Sequence, residues 1–268
     1  MGDSIFTTDL DQWHNSRQLI RPQFIKDRVS DLEVFERHVQ VLIRQIQKGG
    51  EYGSRELDVS NLFFRYTLDA ATDFLLGRSV NSLEVPEQEF AESFAEVQRV
   101  QNIIARAGYV THPLHDISNI VANRPLNGLV PRKSFYAGIK VINEFVTPFI
   151  EDALALSPAE LATKTKSEEG YTFLHAIASF TRDRKMLRDQ LVAVLLAGRD
   201  TTASTLSWTF YELAKHPEIV KRLRQEIIEH VGLERAPTYI DLKNMKYLQV
   251  SPLTLINHLF HLPVMVLM

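Results

Sequence analysis

Cysteine is absent from the 268 residues, so no thiolate ligand to a metal can come from within them. Glycine and proline are scarce, at 11 each, and no low-complexity tract or internal repeat is visible. Neither sign of charge dominates. Thirty basic against 33 acidic residues leave a net charge of −3, which offers no polyanion such as nucleic acid a partner surface. No convincing run of alternating polarity marks a strand. A phosphate-cradling Gly-x-x-x-x-Gly-Lys loop, a His-Glu-x-x-His pair and a Gly-x-Ser-x-Gly elbow are all missing. The nine histidines are scattered. The pairs His112/His115 and His258/His261 sit among prolines or in an irregular tail and read as solvated, so no metal site is assigned. No signal peptide or membrane anchor is read in these residues.

What is present is helical. Apolar residues make up 45 %, enough for a core at this length. Ser30-Asp31-Leu32-Glu33 has the form of a capping box, and Leu32, Phe35, Val39, Leu42, Ile43 and Ile46 then recur at helical spacing. The same period continues through Leu57–Leu76, Phe90–Ala107, Phe135–Leu156, Leu187–Lys215 and Glu218–His230. Breaks are expected at Gly49-Gly50, Pro86, Pro113, Pro125 to Pro131, Thr163 to Gly170 and Gly232 to Pro237. Asp and Glu alternate with Lys and Arg on Glu218–His230, as on a solvated face.

The passage centred on Ala197-Gly198-Arg199-Asp200-Thr201-Thr202 departs from this plain pattern. Leu191 to Ala197 is apolar on every side, the mark of a buried helix. A glycine, an acid and two threonines follow at once. Glycine costs roughly 1 kcal/mol against alanine in a helix interior, and Asp and Thr compete for backbone hydrogen bonds. The sequence therefore predicts a locally strained helix, which is where working sites tend to lie. Ala197 and Thr201 share one face at i, i+4, and Val194 and Thr205 extend it. Gly198 beside them lets something flat approach the backbone. By themselves these six residues also fit a Gly/Thr-rich kink in an ordinary core helix.

The flanks decide between the two. Leu187-Arg188-Asp189-Gln190 precedes the groove, and Thr205-Leu206-Ser207-Trp208-Thr209-Phe210-Tyr211-Glu212-Leu213-Ala214-Lys215-His216-Pro217-Glu218 follows it. This passage resembles the long distal helix and the next helix of the cytochrome P-450 (haem-thiolate monooxygenase) family. Its wording is most similar to fungal members that hydroxylate fatty acids and alkanes. Trp13-His14-Asn15-Ser16-Arg17, with Gly2 to Thr8 and Arg21-Pro22-Gln23-Phe24 around it, fits the family's Trp-x-x-x-Arg helix. Thr67 to Gly77 resembles a structural helix of the same fold.

The resemblance implies a mainly α, partial cytochrome P-450 fold. It runs from the Trp-x-x-x-Arg helix to just before the Glu-x-x-Arg helix, with the sheet and cysteine-loop regions missing. It implies haem (heme) as cofactor, with Trp13 and Arg17 holding a propionate and Ala197, Gly198 and Thr201 against the ring. A guanidinium and an indole N–H suit a carboxylate. Asp200 and Thr201 take the catalytic roles of proton supply and hydroxyl, and Val194, Ala197 and Thr205 face a small apolar substrate. A reductase is the implied partner and the endoplasmic reticulum membrane the parent location. For these residues, without anchor or signal, the location is cytoplasmic or open.

The sequence also departs from the family. Its only Glu-x-x-Arg, Glu96 to Arg99, lies ahead of the distal helix, in the wrong place for the motif of that form. The resemblance ends after Gln249, which divides the chain into a domain at 1–249 and an aberrant apolar tail at 250–268. Val250-Ser251 can be encoded by GTGAGT, the form of a splice donor, so the tail is expected to be intron read-through or an equivalent gene-model error, without ordered structure. Without a propionate partner, Arg17 is expected to turn to solvent. With family elements missing, Leu191–Thr209 is expected to be poorly covered and the chain loosely packed. Two readings follow: a truncated monooxygenase, or a haem-free, inactive helical remnant or interaction module.

Overall fold

A computed structural model describes residues 2–24, 32–50, 56–111, 132–164 and 172–251. Among the described residues there is no strand. The helices are α1 (Leu10–Ile20, continued by a 3-10 turn at Arg21–Phe24), α2 (Glu33–Gly50), α3 (Val59–Leu76), α4 (Glu89–Thr111) and α5 (Arg132–Ala155). They are followed by α6 (Pro158–Lys164), α7 (Phe173–Ala178), α8 (Arg184–Lys215), α9 (Pro217–His230) and α10 (Tyr239–Asn244).

Local chemistry sets the ends of the helices that carry the fold. The Asp58 carboxylate accepts the Asn61 N–H at 2.9 Å and starts α3. Gly77, at φ 73°, stops it in the left-handed conformation that a side chain would strain. Asp183 accepts the N–H groups of Lys185 and Met186 and starts α8. That helix runs 32 residues, and Pro217 then opens α9 at a position where its missing N–H is not needed. The Thr238 and Asp241 side chains cap α10 reciprocally.

α8 packs along α3, α4 along α5, and α2 along α3. One apolar core joins Leu68 and Leu75 of α3, Phe90 and Phe94 of α4, Val146 and Ile150 of α5, Phe173 and Ile177 of α7, and Leu187, Leu191 and Leu195 of α8. Two carboxylates on α3, Asp69 buried and Asp73 half-buried, fix its surroundings. Asp69 accepts the N–H and hydroxyl of Ser82, each at 2.7 Å, and the Leu83 N–H at 2.9 Å, which holds the loop after α3. Asp73 meets His38 of α2 at 2.9 Å.

Within the described residues α2 ends at Gly50, in keeping with the break expected at Gly49-Gly50. Other sequence expectations need correction. The short helices α6, α7 and α10 were not anticipated. Thr163 and Lys164 end α6 instead of opening a loop. Residues 246–251 are helical, so Val250 and Ser251 continue structure instead of starting an irregular tail. Ser30, both histidine pairs, the breaks at Pro113 and Pro125 to Pro131, and residues 252–268 lie outside the described residues.

Candidate functional site

α8 passes through Gly198 to Thr202 without a break. The strain predicted from Gly, Asp and Thr in succession is absent, for a local reason. The Thr201 hydroxyl donates to the Ala197 carbonyl one turn back at 2.7 Å, so it adds a bond without diverting the backbone. Asp200 turns to Arg199 instead of to a peptide N–H. One stripe of α8 carries Val194, Ala197, Thr201 and Thr205, as their spacing requires. Val194 and Ala197 are half-buried, whereas Gly198, Thr201 and Thr205 are exposed. A Cβ placed at Gly198 would meet only the Ala71 methyl of α3, at 3.7 Å. The result is a largely open stripe of small residues carrying two threonine hydroxyls. The opposite face, with Leu195, Arg199 and Ala203, is buried.

The sequence reading gives Arg199 no role, and among the described residues it is a buried arginine. It is 8 % exposed. Its guanidinium lies over the rings of Phe64, at 5.2 Å, and Phe94, at 5.4 Å, and donates to Gln98 at 3.1 Å and Asp200 at 3.3 Å. Its buried Nε has no acceptor among the described residues. Burial holds the Arg199 guanidinium below the usual arginine range, against the pull of Asp200. Burial likewise pushes the Asp200 carboxyl above the usual aspartate range, and Arg199 only partly offsets it. The available signal was positional: Arg199 falls in the apolar series Leu195, Ala203, Leu206.

Trp13 and Arg17 share one face of α1, with the guanidinium 5.4 Å from the indole centroid. Both are exposed. α1 is tied to α8 through Ser16, whose hydroxyl accepts from Gln190 at 2.8 Å. The segment ahead of α1 also docks on the first turns of α8. The Asp3 N–H donates to Asp189 at 2.9 Å, and the Ile5 N–H donates to Gln190 at 3.3 Å. Asp189 is 3 % exposed and also receives Arg188 and Lys185. Burial pushes its carboxyl up, but Arg188, the Asp3 N–H and Lys185 outweigh that and hold it below the usual range. These contacts were not foreseen; two polar residues opening a long apolar helix were the signal.

The remaining chemistry is bland. Glu96 and Arg99, the misplaced Glu-x-x-Arg, form an exposed ion pair along α4, with Ser134 donating to Glu96. Among the described residues no group of three or more His, Asp or Glu side chains is placed to hold a metal ion. No described helix is long and apolar enough to cross a membrane. A cleft of about 710 Å³ opens between residues 78–90 and α5, away from the α8 groove.

The cytochrome P450 family model matches residues 1–251. Among curated relatives, the chain is 48% identical over 261 residues to cytochrome P450 monooxygenase pvhE of Talaromyces variabilis, covering 93% of the chain and 45% of the relative. It is 38% identical over 261 residues to cytochrome P450 52A12 of Debaryomyces hansenii, covering 93% and 47%. It is 37% identical over 267 residues to cytochrome P450 52A1 of Candida tropicalis, covering 93% and 45%. The chain spans about half the length of the curated relatives it matches. A family match over 251 of 268 residues, a helical fold and an unbroken α8 bearing the Ala197–Thr202 sequence agree: the chain belongs to the cytochrome P450 family.

Proposed function

We propose that this chain is the distal-face portion of a haem-thiolate monooxygenase that hydroxylates a small apolar substrate of the fatty-acid or alkane class, with electrons from a reductase at the endoplasmic reticulum membrane. The observation that carries the proposal is the α8 stripe: small residues and two threonine hydroxyls on an open face, with a titratable acid beside it. The residues fit haem on two sides. Gly198 leaves room for a flat ring, since a Cβ there meets only Ala71. Trp13 and Arg17, exposed on one helix face, present an N–H donor and a cation suited to a propionate. The axial thiolate is not among these 268 residues, because none is cysteine. When bound, haem with such a thiolate supplies dioxygen activation.

The chain's own residues then have separate tasks. Ala197 and Gly198 keep the groove wide enough for the ring. Val194 and Thr205 bound the substrate side. Thr201 offers a hydroxyl that now donates to the Ala197 carbonyl and whose hydrogen can turn about the Cβ–Oγ1 bond toward another acceptor. Asp200, held above the ordinary carboxyl range by burial, takes up and returns a proton closer to neutral pH than a solvated aspartate. In a haem-loaded, full-length enzyme carrying this segment, Thr201→Ala is expected to retain haem but divert reducing equivalents to hydrogen peroxide. Product formation that stays fully coupled to electron use would remove Thr201 from the mechanism.

The lack of cysteine favours a second reading for the 268 residues by themselves, a haem-free and catalytically silent helical unit. The two readings differ in whether a thiolate is delivered from outside these residues.

A further inference from the structure

We infer that Gln190 is a positioning residue that sets the Trp13–Arg17 helix in register with the α8 groove. The inference rests on the reading of Trp13 and Arg17 as a propionate clamp. Gln190 lies on the same stripe of α8 as Val194, Ala197 and Thr201, because steps of three and four residues return to one face. It stands seven residues, about 10 Å, before Ala197 along the axis.

Its side chain is wholly buried, at 0 % exposure. Its amide nitrogen donates to the Ser16 hydroxyl at 2.8 Å and toward the Asp3 carbonyl at 3.4 Å, and its amide oxygen accepts the Ile5 N–H at 3.3 Å. Both amide hydrogens and the oxygen are therefore used, which fixes the orientation of the group. Ser16, 3 % exposed, sits between Trp13 and Arg17 in sequence and points inward where they point outward. One buried amide thus holds the inner face of the clamp helix and the strap that precedes it. Asp189, the neighbouring residue, pins the same strap through the Asp3 N–H. An apolar side chain of similar size would fill the space but fix nothing in rotation or translation. Beside the non-directional apolar contacts of α8, this directional polar tie sets the register.

The test uses the intact 268-residue chain with Gln190→Leu and, as the gentler variant, Ser16→Ala. Amide hydrogen exchange is followed separately over residues 10–20 and 59–76. Affinities are measured for iron protoporphyrin IX and for its dimethyl ester. Losing a hydrogen bond that orients a charged site is worth about ten-fold in an equilibrium. We expect exchange over 10–20 to rise by about that factor in Gln190→Leu while 59–76 stays protected, and the preference for the free diacid over the ester to fall alongside. Ser16→Ala should move both in the same direction, and it decides the matter if Gln190→Leu does not fold. Exchange over 10–20 that matches wild type in the folded variants, or that rises only in step with 59–76, overturns the inference. Equal wild-type affinity for diacid and ester, with the exchange effect intact, refutes the propionate clamp and leaves the Gln190 tie standing.

Discussion

Gly198→Ala separates what the fold needs at the groove from what a ligand needs. The position is inside α8, so the conformational freedom of glycine is a cost there and alanine is preferred by roughly 0.5–1 kcal/mol. The new methyl would stand 3.7 Å from the Ala71 methyl, an ordinary contact, so no strain offsets the gain. The variant should therefore be more stable by about 0.5–1 kcal/mol, which for a domain of this size raises the midpoint by roughly 1–4 °C. Urea titrations followed by far-UV circular dichroism, with the slope checked for constancy, measure the difference. The same methyl narrows the groove, and binding of a flat iron porphyrin should weaken. Together these would mark Gly198 as a residue kept for ligand access at the expense of helix stability. A variant destabilised by more than 0.5 kcal/mol, a margin of the same order as the expected gain, would refute the reasoning. It would mean that α3 approaches α8 too closely for any side chain, and that the glycine is structural.

Two further perturbations probe the scaffold. Asp69→Ala removes the acceptor for the buried Ser82 and Leu83 N–H groups, and at about 1–3 kcal/mol per orphaned donor the loss should be about 2–6 kcal/mol in the same urea titration; a loss under 1 kcal/mol would show that the loop simply re-forms around water. Asp189 has a folded pKa below its unfolded value, so its contribution is present above the ordinary aspartate range and is lost as pH falls through the folded value. The stability gap between wild type and Asp189→Asn should therefore be widest near neutrality and close on acidification below about pH 4; a gap independent of pH would contradict the assigned charge network.

Much of the helical order was legible because α3, α4, α5, α8 and α9 are long enough for a 3.6-residue pattern to repeat several times. The shared face of Val194, Ala197, Thr201 and Thr205 was legible for the same reason, since they are spaced along one stripe of α8. The six-residue helix α7 was not. It is buried on all sides, so its sequence shows no polar face, and six residues are too few for a period. Gly49-Gly50 reads as a stop by propensity, and α2 ends there; Leu57 packs where a side chain at Gly49 would stand, which the local pattern does not show. The burial of Arg199 and the polar tie of Asp189 and Gln190 are long-range facts. They depend on residues 101 to 187 positions away, which no local pattern encodes.

The central proposal is that these residues would hold one face and one edge of a haem site and supply no thiolate to it. The most direct measurement is the spectrum of the 268-residue chain supplied with haem, reduced and exposed to carbon monoxide. The account predicts no long-wavelength Soret band of thiolate ligation, because no residue present can form the bond. The appearance of that band from this chain alone would contradict it.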